Sequence, residues 1–159
     1  MISAIQLDPQ FRRMQVRDVD NIMGTENDVY QFPWSKQIFL DCIRVGYDCW
    51  LLLIGEEIAG HAVLSIAGSE SHILNLSIAR RCQNRGLGKQ FVHFLEQQAT
   101  HKHAQTILLE VRPSNPCAIQ CYTACGFNQI GCRKNYYPTP DGKEDALLFA
   151  KQLNLGKLN

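Results

Sequence analysis

Gln83-Asn84-Arg85-Gly86-Leu87-Gly88-Lys89 stands between an apolar strand pattern, Ile73 to Ile78, and a helical one in which Leu87, Phe91, Phe94, Leu95 and Ala99 recur on one face. Backbone amides at a helix start have no intrahelical partner, and two glycines let a ligand come close to the chain. The stretch therefore suits an anion such as a phosphate. Its spacing is neither the Gly-x-x-x-x-Gly-Lys-Ser/Thr of a mononucleotide loop nor the Gly-x-Gly-x-x-Gly of a dinucleotide fingerprint, because Gly86-Leu87-Gly88 is followed by Lys89, Gln90 and Phe91. An ordinary glycine-rich turn before a helix is the structural alternative.

Downstream, Ile107-Leu108-Leu109-Glu110-Val111 is a short apolar run that reads as an inner strand, and a helical crossover makes it a parallel neighbour of the strand before the loop. Asn115 and Pro116 form the cap and first-turn pair of another helix, with Gly126 just beyond its end. Strands at about Phe127 to Tyr137 and Ala146 to Gln152 follow, turned by Pro140-Asp141-Gly142. Upstream, Phe11 to Arg17 reads as a first strand and Asp18 as the cap of a helix to about Tyr30; Phe32-Pro33-Trp34 interrupts, and Ser35 caps a helix through Gly46. Cys49 to Ile54 and Ile58 to Ala67 form a hairpin around Gly55-Glu56-Glu57, and a strand from Ser71 to Ile78 leads back to the loop.

A chain of 159 residues with 45% hydrophobic content suits one domain with a proper core. The net charge of +1, from 16 basic and 15 acidic side chains well mixed, leaves no polyanion-binding footprint, so nucleic acid is not an expected partner. Seven cysteines, an odd number without a Cys-x-x-Cys pair, argue against a disulfide framework or structural zinc. Cys117, Cys121 and Cys125 would line one stripe of a helix, either as soft-metal ligands or as small buried apolar side chains. No apolar run reaches the ~20 residues of a membrane span, and Met1 to Gln6 lacks a cationic flank with an apolar segment. A cytoplasmic, membrane-free protein is the expectation.

Two side chains stand out chemically. A carboxylate in an apolar strand must be met by water, hydrogen bonds or a cation. Glu110 either points out of the sheet or pairs with Arg112, or it faces a cleft where two parallel strands end and takes a proton from an attacking amine. Tyr122 shares a helix face with Ile119 and is either a core aromatic or a proton donor to a departing thiolate, a phenol of pKa ~10 facing a thiol of ~8.5.

The pattern Gln83-x-x-Gly86-x-Gly88 resembles the acetyl-CoA pyrophosphate loop of the GCN5-related N-acetyltransferases, the GNAT superfamily. Within it, Leu109-Glu110-Val111-Arg112-x-Ser114-Asn115-x-x-Ala118-Ile119-x-x-Tyr122-x-x-x-Gly126-Phe127, together with Arg133 to Thr139 and Phe32-Pro33-Trp34-Ser35, resembles the RimI group of ribosomal-protein alanine N-acetyltransferases, chiefly over Leu74 to Ala150. The resemblance implies an α/β, single-domain GNAT fold over residues 1–159: a mixed, mostly antiparallel seven-stranded sheet with a central parallel pair splayed apart, flanked by helices. It implies acetyl-CoA as cosubstrate without a metal, with Glu110 as general base and Tyr122 as general acid. Leu76, Ser77 and Ile78 would lie alongside the acyl and pantetheine arm, and Asn84, Arg85, Gly86, Leu87, Gly88 and Lys89 around the pyrophosphate. Asn115 would sit near the thiol, a role that competes with capping its helix.

The implied acceptor is a protein N-terminal α-amine, the N-terminal alanine of a small-subunit ribosomal protein, attacking directly in a ternary complex, with Tyr136, Tyr137 and the Phe32-Pro33-Trp34 loop walling the peptide groove. Where relatives carry an acid, a proline and an aromatic before the glutamine, this chain has Ala79-Arg80-Arg81-Cys82, whose arginines either reach cofactor phosphates or form a solvated pair. Lysine or a small-molecule amine as acceptor, and a non-catalytic acyl-CoA-binding regulatory module, are the competing readings. A covalent route through the cysteine stripe is disfavoured because no histidine is placed by sequence to activate it.

Overall fold

Burial alternates along two strands that decide the architecture, β4 (Glu70–Ile78) and β5 (Thr106–Val111). Ser71, Ile73, Asn75 and Ser77 face one buried side of β4, as Ile107, Leu109 and Val111 do on β5; His72, Leu74, Leu76 and Ile78, with Leu108 and Glu110, lie on a half-exposed face. The two strands are parallel and pair over Glu70–Ile73 against Thr106–Leu109. There the recorded pairing stops among the described residues, although β4 continues to Ile78 and β5 to Val111.

The computed structural model describes residues 8–153. The remaining strands are β1 (Gln10–Arg13), β2 (Asp48–Ile54), β3 (Glu57–Ala67), β6 (Asn128–Thr139) and β7 (Gly142–Gln152), giving a seven-stranded sheet in the order β1-β2-β3-β4-β5-β7-β6. The pairs β1·β2, β5·β7 and β6·β7 are antiparallel. Among the described residues four α-helices accompany the sheet: α1 (Val19–Val29), α2 (Lys36–Val45), α3 (Leu87–His101) and α4 (Pro116–Ala124). The mixed sheet with one parallel pair is the fold that the resemblance implied.

The chain divides into two compact units, Met1–Val63 with Leu76–Leu87, and Leu64–Asn75 with Gly88–Asn159. In the first, Ser35 caps α2 by accepting from the Ile38 amide at 3.3 Å, and Gly46 ends it at φ 87°, a left-handed turn that a glycine adopts without strain. Strand β1 is shorter than the expected Phe11 to Arg17. Past Arg13 the chain turns into a 3-10 segment, Val16–Asp18, and the Asp18 carboxylate is engaged there. It accepts from the Gln15 amide at 2.7 Å and from Arg12 at 2.8 and 2.9 Å, so it does not cap α1; the Arg12 guanidinium holds its carboxyl below the usual range. Glu26 of α1 and His61 of β3 meet at 3.2 Å, both fully buried.

In the second unit α3 buries Phe91, Val92, Leu95 and Ala99, with Phe94 only half-buried, so Val92 shares the inward stripe expected of Phe94. Lys151 of β7 reaches across to bond both Glu96 oxygens at 3.0 and 3.1 Å and the Cys125 carbonyl at 2.7 Å, which ties the end of α4 to α3.

Candidate active site

Glu110 lies on the half-exposed face of β5, but its side chain is only 9% exposed, so its carboxylate needs partners. It does not pair with Arg112. That guanidinium donates to Glu144 at 3.0 Å and to the Pro138 carbonyl at 2.7 Å, and lies 4.4 Å over the Tyr137 ring. The partners of Glu110 are Arg133 of β6, with Nε at 3.4 Å, and His72 of β4, with Nε2 at 4.0 Å. Arg133 also lies 5.4 Å over the ring of Tyr136, so one guanidinium stands by both the carboxylate and the exposed aromatic. Neither His72 nor Arg133 was singled out from sequence. The signal for His72 was available: the parallel register sets it opposite Leu108, one pleat from Glu110 on the same face.

Asn115 performs its capping role, accepting from the Ala118 amide at 3.2 Å. Replacing it with alanine is expected to cost about 1 kcal/mol of stability, and serine should recover most of that, as measured by urea unfolding. Helix α4, which it starts, fully buries none of its residues. Tyr122 is half-buried there, edge-on to Phe127 with ring centroids 5.9 Å apart. The cysteine stripe differs from the buried apolar stripe expected: Cys117 is exposed, and Cys121 and Cys125 are half-buried. Burial pushes the Cys121 thiol up to about 11, the wrong direction for a nucleophile. Gly88 packs against this helix; a Cβ added there would lie 3.6 Å from the Cys121 sulfur.

In the first unit, the end of β4 runs into the loop through three anchored residues. The Leu76 carbonyl accepts from the Tyr30 hydroxyl at 2.6 Å, Ser77 is buried, and the Ile78 carbonyl accepts from the Gln83 amide side chain at 2.9 Å. Asn84 (φ 62°) and Gly86 (φ 75°) both adopt the left-handed region, so the chain doubles sharply on either side of Arg85. A Cβ built on Gly86 meets nothing within 4 Å, so there is open room beside the loop. Arg80 and Arg81 are both exposed, and each also bonds a protein group. Arg80 bonds the Asp28 carboxylate at 3.1 Å and the Asp28 carbonyl at 2.7 Å, and Arg81 bonds the Ile58 carbonyl at 3.2 Å.

Among the described residues no group of three or more histidine, cysteine, aspartate or glutamate side chains is placed to hold a metal, and no helix is long and apolar enough to cross a membrane.

Residues 8–127 match the acetyltransferase (GNAT) family. Over 142 residues, 89% of this chain and 96% of the relative, the sequence is 30% identical to the [ribosomal protein bS18]-alanine N-acetyltransferase of Escherichia coli K12. The protein of the same name from Haemophilus ducreyi is 33% identical over 138 residues, 86% of this chain and 95% of the relative. The crystal structure of the Escherichia coli ribosomal-protein-S18-alanine N-acetyltransferase superposes with a TM-score of 0.86 at 29% identity, covering 96% of this chain and 98% of that one. A match over most of the chain, relatives at this identity along nearly their whole length, and a close superposition on the crystal structure show that the chain belongs to the acetyltransferase (GNAT) family as a RimI-like N-acetyltransferase.

Proposed function

We propose that this chain, as a single domain in the cytoplasm, transfers the acetyl group of acetyl-CoA to the α-amine of a protein N-terminus, that of the ribosomal protein named for its relatives, whose first residue is alanine. The observation that carries the reading is Glu110, a carboxylate 9% exposed on the open face of an otherwise apolar strand, at the point where the parallel ladder stops. Acetyl-CoA supplies a thioester carbonyl and a thiolate leaving group.

An α-amine of pKa ~8 is about one-tenth neutral at pH 7, whereas a lysine of ~10.4 is about one two-thousandth neutral, so a modest base serves the former. Glu110 takes the amine proton as the N–C bond forms. The Ile78 amide meets the charge that develops on the acyl oxygen, and Tyr122 protonates the sulfur as the C–S bond breaks. Asn84, Arg85, Gly86, Leu87, Gly88 and Lys89 hold the pyrophosphate, Leu76 and Ser77 flank the pantetheine arm, and Asn115 is left to serve chiefly as a cap. Each proton has a side chain assigned to it, and the scheme uses no metal. The raised Cys121 thiol supports direct attack in a ternary complex over an acetyl-cysteine route.

The test pairs an alanine-initiated peptide with the same peptide blocked at its N-terminus and carrying an internal lysine. Acetylation confined to the free α-amine supports the proposal. Acetylated lysine moves the acceptor to the side chain, and no CoA release with any amine makes the chain an acyl-CoA-binding regulator. Tyr122→Phe is expected to lower kcat about 100-fold with little change in KM for either substrate.

A further inference from the structure

A base that collects one proton per turnover must lose it before the next, and at 9% side-chain exposure Glu110 has little direct access to water. Its two neighbours differ in what they can do. Arg133 at 3.4 Å donates only and cannot accept a proton. His72 at 4.0 Å carries an imidazole whose side chain is 28% exposed, so the pair leads from the nearly buried carboxylate outward to solvent. Beyond the shared distance, the two strands that carry them are hydrogen-bonded neighbours, and Ser71↔Ile107 and Ile73↔Leu109 on either side of His72 fix its position relative to β5.

We propose that His72 is the proton outlet of Glu110. The inference rests on Glu110 being the base. After the amine nitrogen has bonded to the acyl carbon and the sulfur has left, a side-chain rotation closes the 4.0 Å gap to hydrogen-bond distance, the carboxyl O–H of Glu110 breaks and an N–H forms on His72 Nε2. The imidazolium then gives a proton to solvent or buffer and returns to neutral; no electrons move to or from any other reactant. Glu110 and Glu70 favour the imidazolium, and burial and Arg133 oppose it. Burial is the largest of these influences, so the pKa lies below the usual histidine value. At neutral pH the ring is therefore free to accept, and it releases its proton readily. As the pH falls through that lowered pKa the outlet fills, and turnover should fall with it.

The test uses the whole enzyme with acetyl-CoA and an alanine-initiated peptide. His72→Gln should lower kcat about tenfold, less than loss of a direct acid or base, and leave both KM values unchanged. Imidazole buffer at rising concentration should then restore turnover in the variant and leave the wild type unaffected. The acid limb of the wild-type kcat profile should move to lower pH in His72→Gln. If Glu110→Gln is inactive while His72→Gln keeps wild-type turnover at every buffer concentration, the outlet is overturned and the base stands. If Glu110→Gln turns over normally, both fall. A loss in His72→Gln that no buffer relieves and that leaves the acid limb in place also overturns the outlet and assigns His72 to packing. Should that variant melt early, His72→Asn carries the same comparison.

Discussion

Replacing Glu110 with glutamine is expected to lower kcat about 1,000-fold, equivalent to about 4 kcal/mol of transition-state stabilisation, in a protein that remains folded, if Glu110 is the base proposed above. Glutamine has the size of glutamate and keeps a side-chain oxygen facing Arg133 Nε, now 3.4 Å away. The ion pair that is lost involves an arginine whose side chain is 57% exposed, and such pairs contribute little to stability. What the amide cannot do is accept a proton from the attacking nitrogen. The expected signature is a fall in kcat and in kcat/KM together, with an unchanged melting temperature and unchanged acetyl-CoA binding by calorimetry. Near wild-type turnover would remove Glu110 from the mechanism.

Glu26→Leu is expected to be the most destabilising of the substitutions considered, by about 3 kcal/mol, because it strips a buried ring of its partner. His61 is fully buried, its Nε2 meets Glu26 at 3.2 Å, and its Nδ1 has no hydrogen-bond partner among the described residues. The Phe39 ring stands edge-on at 5.4 Å and offers no acceptor in the ring plane. With leucine at 26, both ring nitrogens would be buried without a partner. A fall in melting temperature of about 6–12 °C should follow, and Glu26→Gln, which can still bond Nε2, should recover most of it. Equal losses from leucine and glutamine would assign the cost to shape instead.

Features set by neighbours in the chain were legible in the sequence. Ser35 and Gly46 bounded α2, Asn115-Pro116 opened α4, and the apolar run at Ile107 became a strand parallel to the one before the glycine loop. Features set by partners far along the chain were not. Asp18 sits at a helix start, as its position suggested, but Arg12 and the Gln15 amide claim its oxygens. Glu110 has a near candidate cation two residues away, yet side chains alternate across a strand, so Arg112 shares its face and still turns to Glu144. Its actual partner, Arg133, comes from a strand 23 positions on and is joined through register shifts in β6 that no local pattern reveals. The same holds for the cysteines of α4: helical spacing put them on one stripe, but spacing does not say which stripe is covered.

The bond from Tyr30 to the Leu76 carbonyl binds two regions into one mechanical part. Burial raises the phenol to about 12, so it is a permanent donor at any physiological pH, and it fastens the residue after α1 to the last stretch of β4. A shift of that helix end would drag the strand end with it, and one lone pair of the Leu76 oxygen is already engaged when any other donor arrives.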